Sequence, residues 1–260
     1  MARTRRRLSM PPALVTGLVV LSVWWFVSHS GHVPSIFLPS PDAVVRRLTK
    51  LLLHSPLARF TWVTVKEALL GCLLAGSVGL PLAWVLHHSH FLSRALMPYI
   101  AAAQAVPAIA IAPLLVLWIG YGTLPVVVLC AFMVFFPITI TALLGLEGLD
   151  RDVLDAARLD GAHGWSLLIH MEIPMALPAI LAGLRTGFTL SITGAIVGEM
   201  IMGGHGLGQV LTSQRDSVDT TGLFATIVLL AILATTIFGL LLMMEKRSAT
   251  VNAMRGSRPT

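Results

Sequence analysis

At 260 residues, 56% apolar and 12% charged, with a mean hydropathy of +0.84, the chain has too little charge to cover the surface of a soluble domain of its size. A net charge of +6 and a pI near 10.1 would suit nucleic acid, yet 15 of the 18 basic residues are Arg scattered at the ends of apolar runs, without an aromatic-interleaved basic face. Positive loops retained on the cytoplasmic side of a bilayer explain the balance more simply.

Arg3, Arg5, Arg6 and Arg7 precede an apolar stretch from Pro12 to Val27. This is the charge order of a signal peptide, but no small-x-small cleavage site is evident and further hydrophobic spans follow, so a retained first span with its N-terminus inside is expected. His32 to Pro41, with Pro34, Pro39 and Pro41, should be extended at the outer surface. From Asp42 to Arg59, Val44, Val45, Leu48, Leu51 and Leu52 oppose Arg46, Arg47 and Lys50, which predicts an interfacial helix.

A second span should run from about Trp62 to Leu86, with Lys66 and Glu67 near its outer end. Adjacent residues point about 100° apart on a helix, so these two need not pair with each other. His87, His88 and His90 follow; three imidazoles so close could hold a metal, but adjacent positions suit a flexible loop better than preorganised ligands, and no metal is expected. Cys72 and Cys130 both lie in apolar runs and read as buried packing residues, not as a disulfide framework.

The 52 residues from Ala95 to Leu146 contain no Asp, Glu, Lys or Arg, too long for one span of roughly 20 residues, and Gly120-Tyr121-Gly122 divides them into two. Pro107, Pro113, Pro125 and Pro137 free carbonyls that other protein groups must satisfy, so these spans should be kinked and face protein. Gln104 is a candidate for lining a translocation path, with Pro107 beside it; a hydrogen bond from Gln104 to a neighbouring helix is the alternative.

Six of the twelve acids then crowd into residues 147–172: Glu147, Asp150, Asp152, Asp155, Asp160 and Glu172. Asp150 can cap a short helix whose apolar stripe is Leu149, Val153, Leu154 and Ala157, and Asp160-Gly161 is a stop-and-turn signal. A second short helix, about Trp165 to Met171, should end before Pro174, giving a helical hairpin projecting from the membrane. A fifth span, Pro178 to Met200, carries Arg185 and Glu199 roughly 21 Å apart along a helix, each able to snorkel to its own interface. Glu199 either orients a gate or ties adjacent helices together. A polar segment, Gly203 to Gly222, should face outside before a last span from about Leu223 to Met244.

The expected product is an all-α polytopic membrane protein of about six transmembrane helices. Residues 1–30 form an N-terminal cytoplasmic arm and first span, 31–245 a core with five further spans, and 246–260 a cytoplasmic tail. With both termini inside, twelve of the 18 basic residues fall in cytoplasmic segments and six, Arg46, Arg47, Lys50, Arg59, Lys66 and Arg215, outside.

The charged island carries a family pattern: Asp155-Ala156-Ala157, three residues, Gly161, nine residues, then Met171-Glu172-Ile173-Pro174. It resembles the cytoplasmic loop of permease subunits of ATP-binding-cassette (ABC) importers, Glu-Ala-Ala, three residues, Gly, nine residues, Ile-x-Leu-Pro, with Asp155 for Glu, Met171 for Ile and Ile173 for Leu. Gly198-Glu199-Met200-Ile201 followed by Gly206-Leu207-Gly208 resembles a second family signature. Leu38-Pro39-Ser40-Pro41, Gln104-Ala105-Val106-Pro107, Ala112-Pro113-Leu114-Leu115 and Trp118-Ile119-Gly120-Tyr121-Gly122 are similar to the branch that carries nitrate, sulfonates, taurine, riboflavin or thiamine-related pyrimidines.

The resemblance, over residues 30–245, implies the type I ABC importer permease fold in a bacterial inner membrane. It implies partners: two cytoplasmic ATP-binding subunits, an extracytoplasmic solute-binding protein and a second permease chain, simplest as a homodimer. Residues 150–174 would couple to the ATPase through Asp155, Ala156, Ala157, Arg158, Gly161, Trp165 and Pro174, with Gln104, Pro107 and Glu199 on the path or gate. The sequence lacks a Gly-x-x-x-x-Gly-Lys-Ser/Thr phosphate loop, so ATP hydrolysis is expected in a partner, with no cofactor on this chain. A small organic nutrient or vitamin precursor is the favoured substrate over a nitrate- or sulfonate-like anion. Two other classes stay open: a secondary transporter driven by an ion gradient, which would favour inverted repeats and midplane ionisable groups, and a structural membrane-assembly subunit.

Overall fold

The computed structural model describes residues 12–247. Arg3, Arg5, Arg6, Arg7 and the expected polar tail beyond Arg247 lie outside the described residues. The described chain runs as α1 (Pro12–His29), α2 (Pro41–His54), α3 (Leu57–His88), α4 (His90–Gln104), α5 (Ala108–Ile119), α6 (Thr123–Glu147), α7 (Arg151–Leu159), a single turn α8 (Trp165–Leu167), a π-helical turn (Leu168–Glu172), α9 (Ile173–Met202), α10 (Leu207–Asp216) and α11 (Thr220–Arg247). No strand occurs among the described residues.

Among the described residues, four helical stretches are long and apolar enough to cross a membrane: Leu57–His88, Thr123–Glu147, Trp165–Met202 and Thr220–Met243. α4 and α5 qualify only as a pair, bent by 93° at a break of a few residues, and α1 contributes a shorter apolar helix, Val15–His29. The six expected spans thus correspond to four continuous helices, one broken pair and one short helix. The break sits at Pro107, which has no N–H to continue the ladder and disfavours helical geometry in the residue before it.

The described residues fall into two compact units, one of residues 12–56 with 213–229, the other of 57–212 with 230–247. In the larger, α3, α6 and α9 pack through small residues. On α3, Ala68, Gly71, Cys72, Ala75, Gly79, Ala83 and Leu86 are buried at helical spacing, while Leu69, Leu70, Leu73 and Leu74 are exposed. A methyl group added at Gly71 would collide with Cβ of Cys130 on α6, and one at Gly145 of α6 with Cβ of Ala179 on α9. Since lipid offers no hydrophobic drive between helices, such close backbone approach, with its dispersion contacts, holds them together. Cys72 and Cys130 lie in this core as free thiols.

In the smaller unit, Trp24 donates Nε1–H to the Pro39 carbonyl at 3.1 Å, and Arg47 holds Asp219 Oδ2 through Nε at 3.1 Å and Nη2 at 2.5 Å. The other Asp219 oxygen accepts the Gly222 N–H at 2.8 Å, capping the first turn of α11.

Several boundaries differ from expectation. Residues 32–41 are not extended throughout: the Pro34 carbonyl accepts from Phe37 and Leu38, closing a turn. The amphipathic helix stops at His54, because Pro56 forces Ser55 out of helical geometry (φ −125°, ψ 159°). His87 and His88 are the last turn of α3 and His90 opens α4, with Ser89 between them as N-cap, so they are not a flexible loop. Gly203 to Gly222 contains α10. Helix also continues through Pro174, which directly follows the π-helical turn Leu168–Glu172, a break in the regular ladder at which a missing N–H is tolerated; the span expected from Pro178 is continuous from Trp165.

Candidate functional site

α7 begins at Asp150, whose Oδ1 accepts the Asp152 N–H at 3.0 Å, and carries Asp152 in its first turn and Arg158 in its last, both favourable to the helix dipole. Leu154 is buried, and Ala157 and Leu149 are half-buried, so most of the predicted stripe faces inward, whereas Val153 is exposed. Arg158 bonds Asp155 at 2.7 Å one turn back. Two bonds close the helix: Gly161 N–H to the Arg158 carbonyl and Ala162 N–H to that of Ala157, with Gly161 at φ +94°. This is the Schellman arrangement, and the left-handed backbone it needs explains the glycine.

Beyond the turn, the hairpin presents apolar side chains to solvent. Leu159 is 90% exposed and Trp165 72%, near the exposed Ala156 and the Asp155–Arg158 pair. The structure brings these residues together on one short projection; Pro174 lies apart, at the start of α9.

The π-helical turn inserts one residue and re-aims Glu172 inward. Its carboxylate is 1% exposed, accepts Trp84 Nε1–H at 3.0 Å on Oε2, and has His88 Nε2 at 3.2 Å from Oε1. Trp84 also stacks on Trp165 with ring centroids 5.9 Å apart, linking α3 to the hairpin. From the sequence, Glu172 looks like one more solvated acid; only the register shift buries it.

Glu199 is buried, so it does not snorkel to an interface. It accepts hydrogen bonds from Thr64 Oγ1 at 2.7 Å and Gly208 N–H at 2.5 Å, and Thr64 Oγ1 accepts the Leu207 N–H at 2.9 Å. Glu67 lies against the same carboxyl and the Thr123 hydroxyl. A side chain at Gly206 would run into the Glu199 carboxylate, and one at Gly208 into the Ile196 carbonyl and the Glu199 side chain, which explains both glycines. This network ties α3, α9 and the start of α10. Arg185 does not snorkel either: its Nη1 bonds Glu245 Oε2 at 2.5 Å, and its guanidinium lies 5.0 Å from the Phe238 ring centre. Sequence reading missed both partnerships, since the partners are 60 or more residues apart.

Gln104 and Pro107 flank the α4–α5 break and line a cavity of about 330 Å³ with Phe132, Met133, Phe136 and Leu190. The Gln104 side chain is exposed and makes no hydrogen bond to another helix among the described residues. No charged side chain lines this cavity among the described residues.

Residues 69–249 match the family described as "Binding-protein-dependent transport system inner membrane component". The chain is 36% identical over 247 residues to the riboflavin transport system permease protein RibX of Chloroflexus aurantiacus, covering 94% of this chain and 92% of that one. It is 32% identical over 217 residues to the formylaminopyrimidine transport permease protein ThiX of Halalkalibacterium halodurans, 83% of this chain and 86% of that one. Its fold superposes on an inward-facing conformation of the MetNI methionine ABC transporter with a TM-score of 0.67 and 19% identity, over 73% of this chain and 94% of that one.

Proposed function

The chain belongs to the family of binding-protein-dependent inner membrane components, the permeases of ABC importers, and from that premise we propose that residues 150–174 are the handle through which a separate ATPase drives it. The observation that carries this reading is the exposure of Leu159 (90%) and Trp165 (72%) on a hairpin whose turn is fixed by Gly161. An apolar tip rimmed by Asp155 and Arg158 fits a groove on a protein partner: Leu159 and Trp165 supply the buried anchors, the ion pair the polar rim. The exposed Ala156 allows close approach.

Two such permeases, simplest as identical copies, would enclose the path, each hairpin seated on one of two ATP-binding subunits. Closure of the ATPases would pull on the hairpins and rock the bundles between inward- and outward-open states. Both termini and the hairpin are then cytoplasmic, and the solute-binding protein docks on the opposite side.

The uncharged cavity at Gln104 and Pro107, faced by Phe132 and Phe136, supports a small organic nutrient or vitamin precursor over a nitrate- or sulfonate-like anion, which would want fixed positive charge. The test is uptake by proteoliposomes. The chain with its ATPase and binding protein should accumulate substrate on ATP addition, and the ligand copurifying with the binding protein should be an uncharged or heteroaromatic organic molecule. Uptake by the chain alone on a proton or sodium gradient would overturn the proposal.

A further inference from the structure

We propose that His87, His88 and Glu172 form a binding site for a zinc-class divalent transition-metal ion at the foot of the hairpin. Their ligand atoms lie within 4.8 Å of one another. The hydrogen bonds around them orient the ligating atoms. His88 Nδ1 is 3.2 Å from the Trp84 carbonyl, which has no proton to give, so this nitrogen carries a ring N–H and Nε2 is the nitrogen left to coordinate. Nε2 lies 3.2 Å from Glu172 Oε1.

The pair is bridged either by a proton on Nε2 or by a metal ion, and its spacing fits the metal. Zinc bonds of about 2.0–2.1 Å to nitrogen and oxygen set adjacent corners of a tetrahedron about 3.4 Å apart, close to the observed separation. His87, its ring edge-on to His88 at 5.0 Å, supplies a third ligand with a small closing movement, and water the fourth.

The surroundings resemble a supporting shell around a metal. Trp84 donates to Glu172 Oε2 at 3.0 Å, fixing the carboxylate, and the Trp84 carbonyl fixes His88. A polar cavity of about 630 Å³ reaches His87 and is lined also by His90, Glu147, Asp155, Arg151 and Arg158. Imidazole and carboxylate donors suit zinc better than magnesium or calcium, which prefer all-oxygen shells. The bound ion would staple the end of α3 to the turn that feeds α9.

The experiment uses the full-length permease, purified on a tag without histidine and stripped of metal. Zn²⁺ is titrated in competition with a chromophoric chelator, and Co²⁺ is added separately to read its visible absorption. The wild type should bind one Zn²⁺ per chain, and the Co²⁺ spectrum should be that of a four-coordinate site. His88→Ala and Glu172→Gln should abolish stoichiometric binding, and Trp84→Phe should weaken it about ten- to hundredfold. His90→Ala and His163→Ala should leave it unchanged. If His88→Ala does not fold, His87→Asn reads the same loss without touching the His88–Glu172 contact. Absence of stoichiometric Zn²⁺ binding in the wild type would overturn the proposal and leave a proton as the cation between His88 and Glu172. Equal binding by the His87→Asn and Glu172→Gln variants would overturn it as well.

Discussion

Gly161 offers a clean perturbation of the hairpin, because its backbone sits at φ +94° and a Cβ there would meet nothing within 4 Å. The cost of a larger residue is therefore conformational and not a clash. A side chain in the left-handed region costs roughly 1–2 kcal/mol, and a β-branched one more. Since 1.4 kcal/mol is about a factor of ten, the closed-to-open ratio of the turn should fall by at least about 5- to 30-fold in Gly161→Val. Gly161→Asn should suffer much less, because asparagine tolerates this region. The assay is ATP-driven uptake in proteoliposomes at limiting ATPase, alongside capture of the ATPase by the permease. The account expects both to fall in the order Gly, Asn, Val. Full uptake and full ATPase capture by Gly161→Val would refute the reasoning.

Gly71→Ala should lower the melting temperature in detergent by the equivalent of about 1–3 kcal/mol, since the new methyl meets Cys130 Cβ and, at 3.1 Å, backbone atoms of Val127 and Ala131 that cannot swing away. Gly239→Ala, with nothing within 4 Å, should be neutral or slightly stabilising through helix propensity. Arg185→Ala strands the Glu245 carboxylate, 9% exposed, and should cost about 3–5 kcal/mol, most of it regained in the Arg185→Ala/Glu245→Ala double variant, as a thermal-shift cycle would show. Thr64→Val removes the oxygen that pairs the Leu207 N–H and a donor to Glu199, and should destabilise by about 1–3 kcal/mol on the same readout.

The hairpin was legible because its signals are local. Asp150 caps α7, Asp160-Gly161 ends it, and the apolar stripe marks the face that Leu154 buries. Long apolar runs likewise placed α3, α6 and α11 to within about five residues, whereas the end of α2 and the start of α9 differed at Pro56 and Pro174, whose effects on the backbone depend on where in a helix they fall. What stayed hidden depends on distant residues meeting. Arg185 and Glu245 are 60 positions apart, Thr64 and Glu199 are 135 apart, and neither pairing leaves a trace in spacing. Glu172 was hidden differently: a one-residue π insertion turned it toward Trp84 and His88, a register change that helical periodicity does not encode.

The coupling role of the hairpin is tested most directly by a single cysteine at its tip, Leu159→Cys, where the side chain is 90% exposed and the two native thiols, Cys72 and Cys130, are buried. In inside-out vesicles holding the assembled importer, this cysteine should crosslink to a cysteine placed in the groove of the ATPase, with a yield that changes on ATP addition. Labelling of Leu159→Cys only by an impermeant reagent applied from the extracytoplasmic side, with no crosslink to the ATPase, would contradict the account.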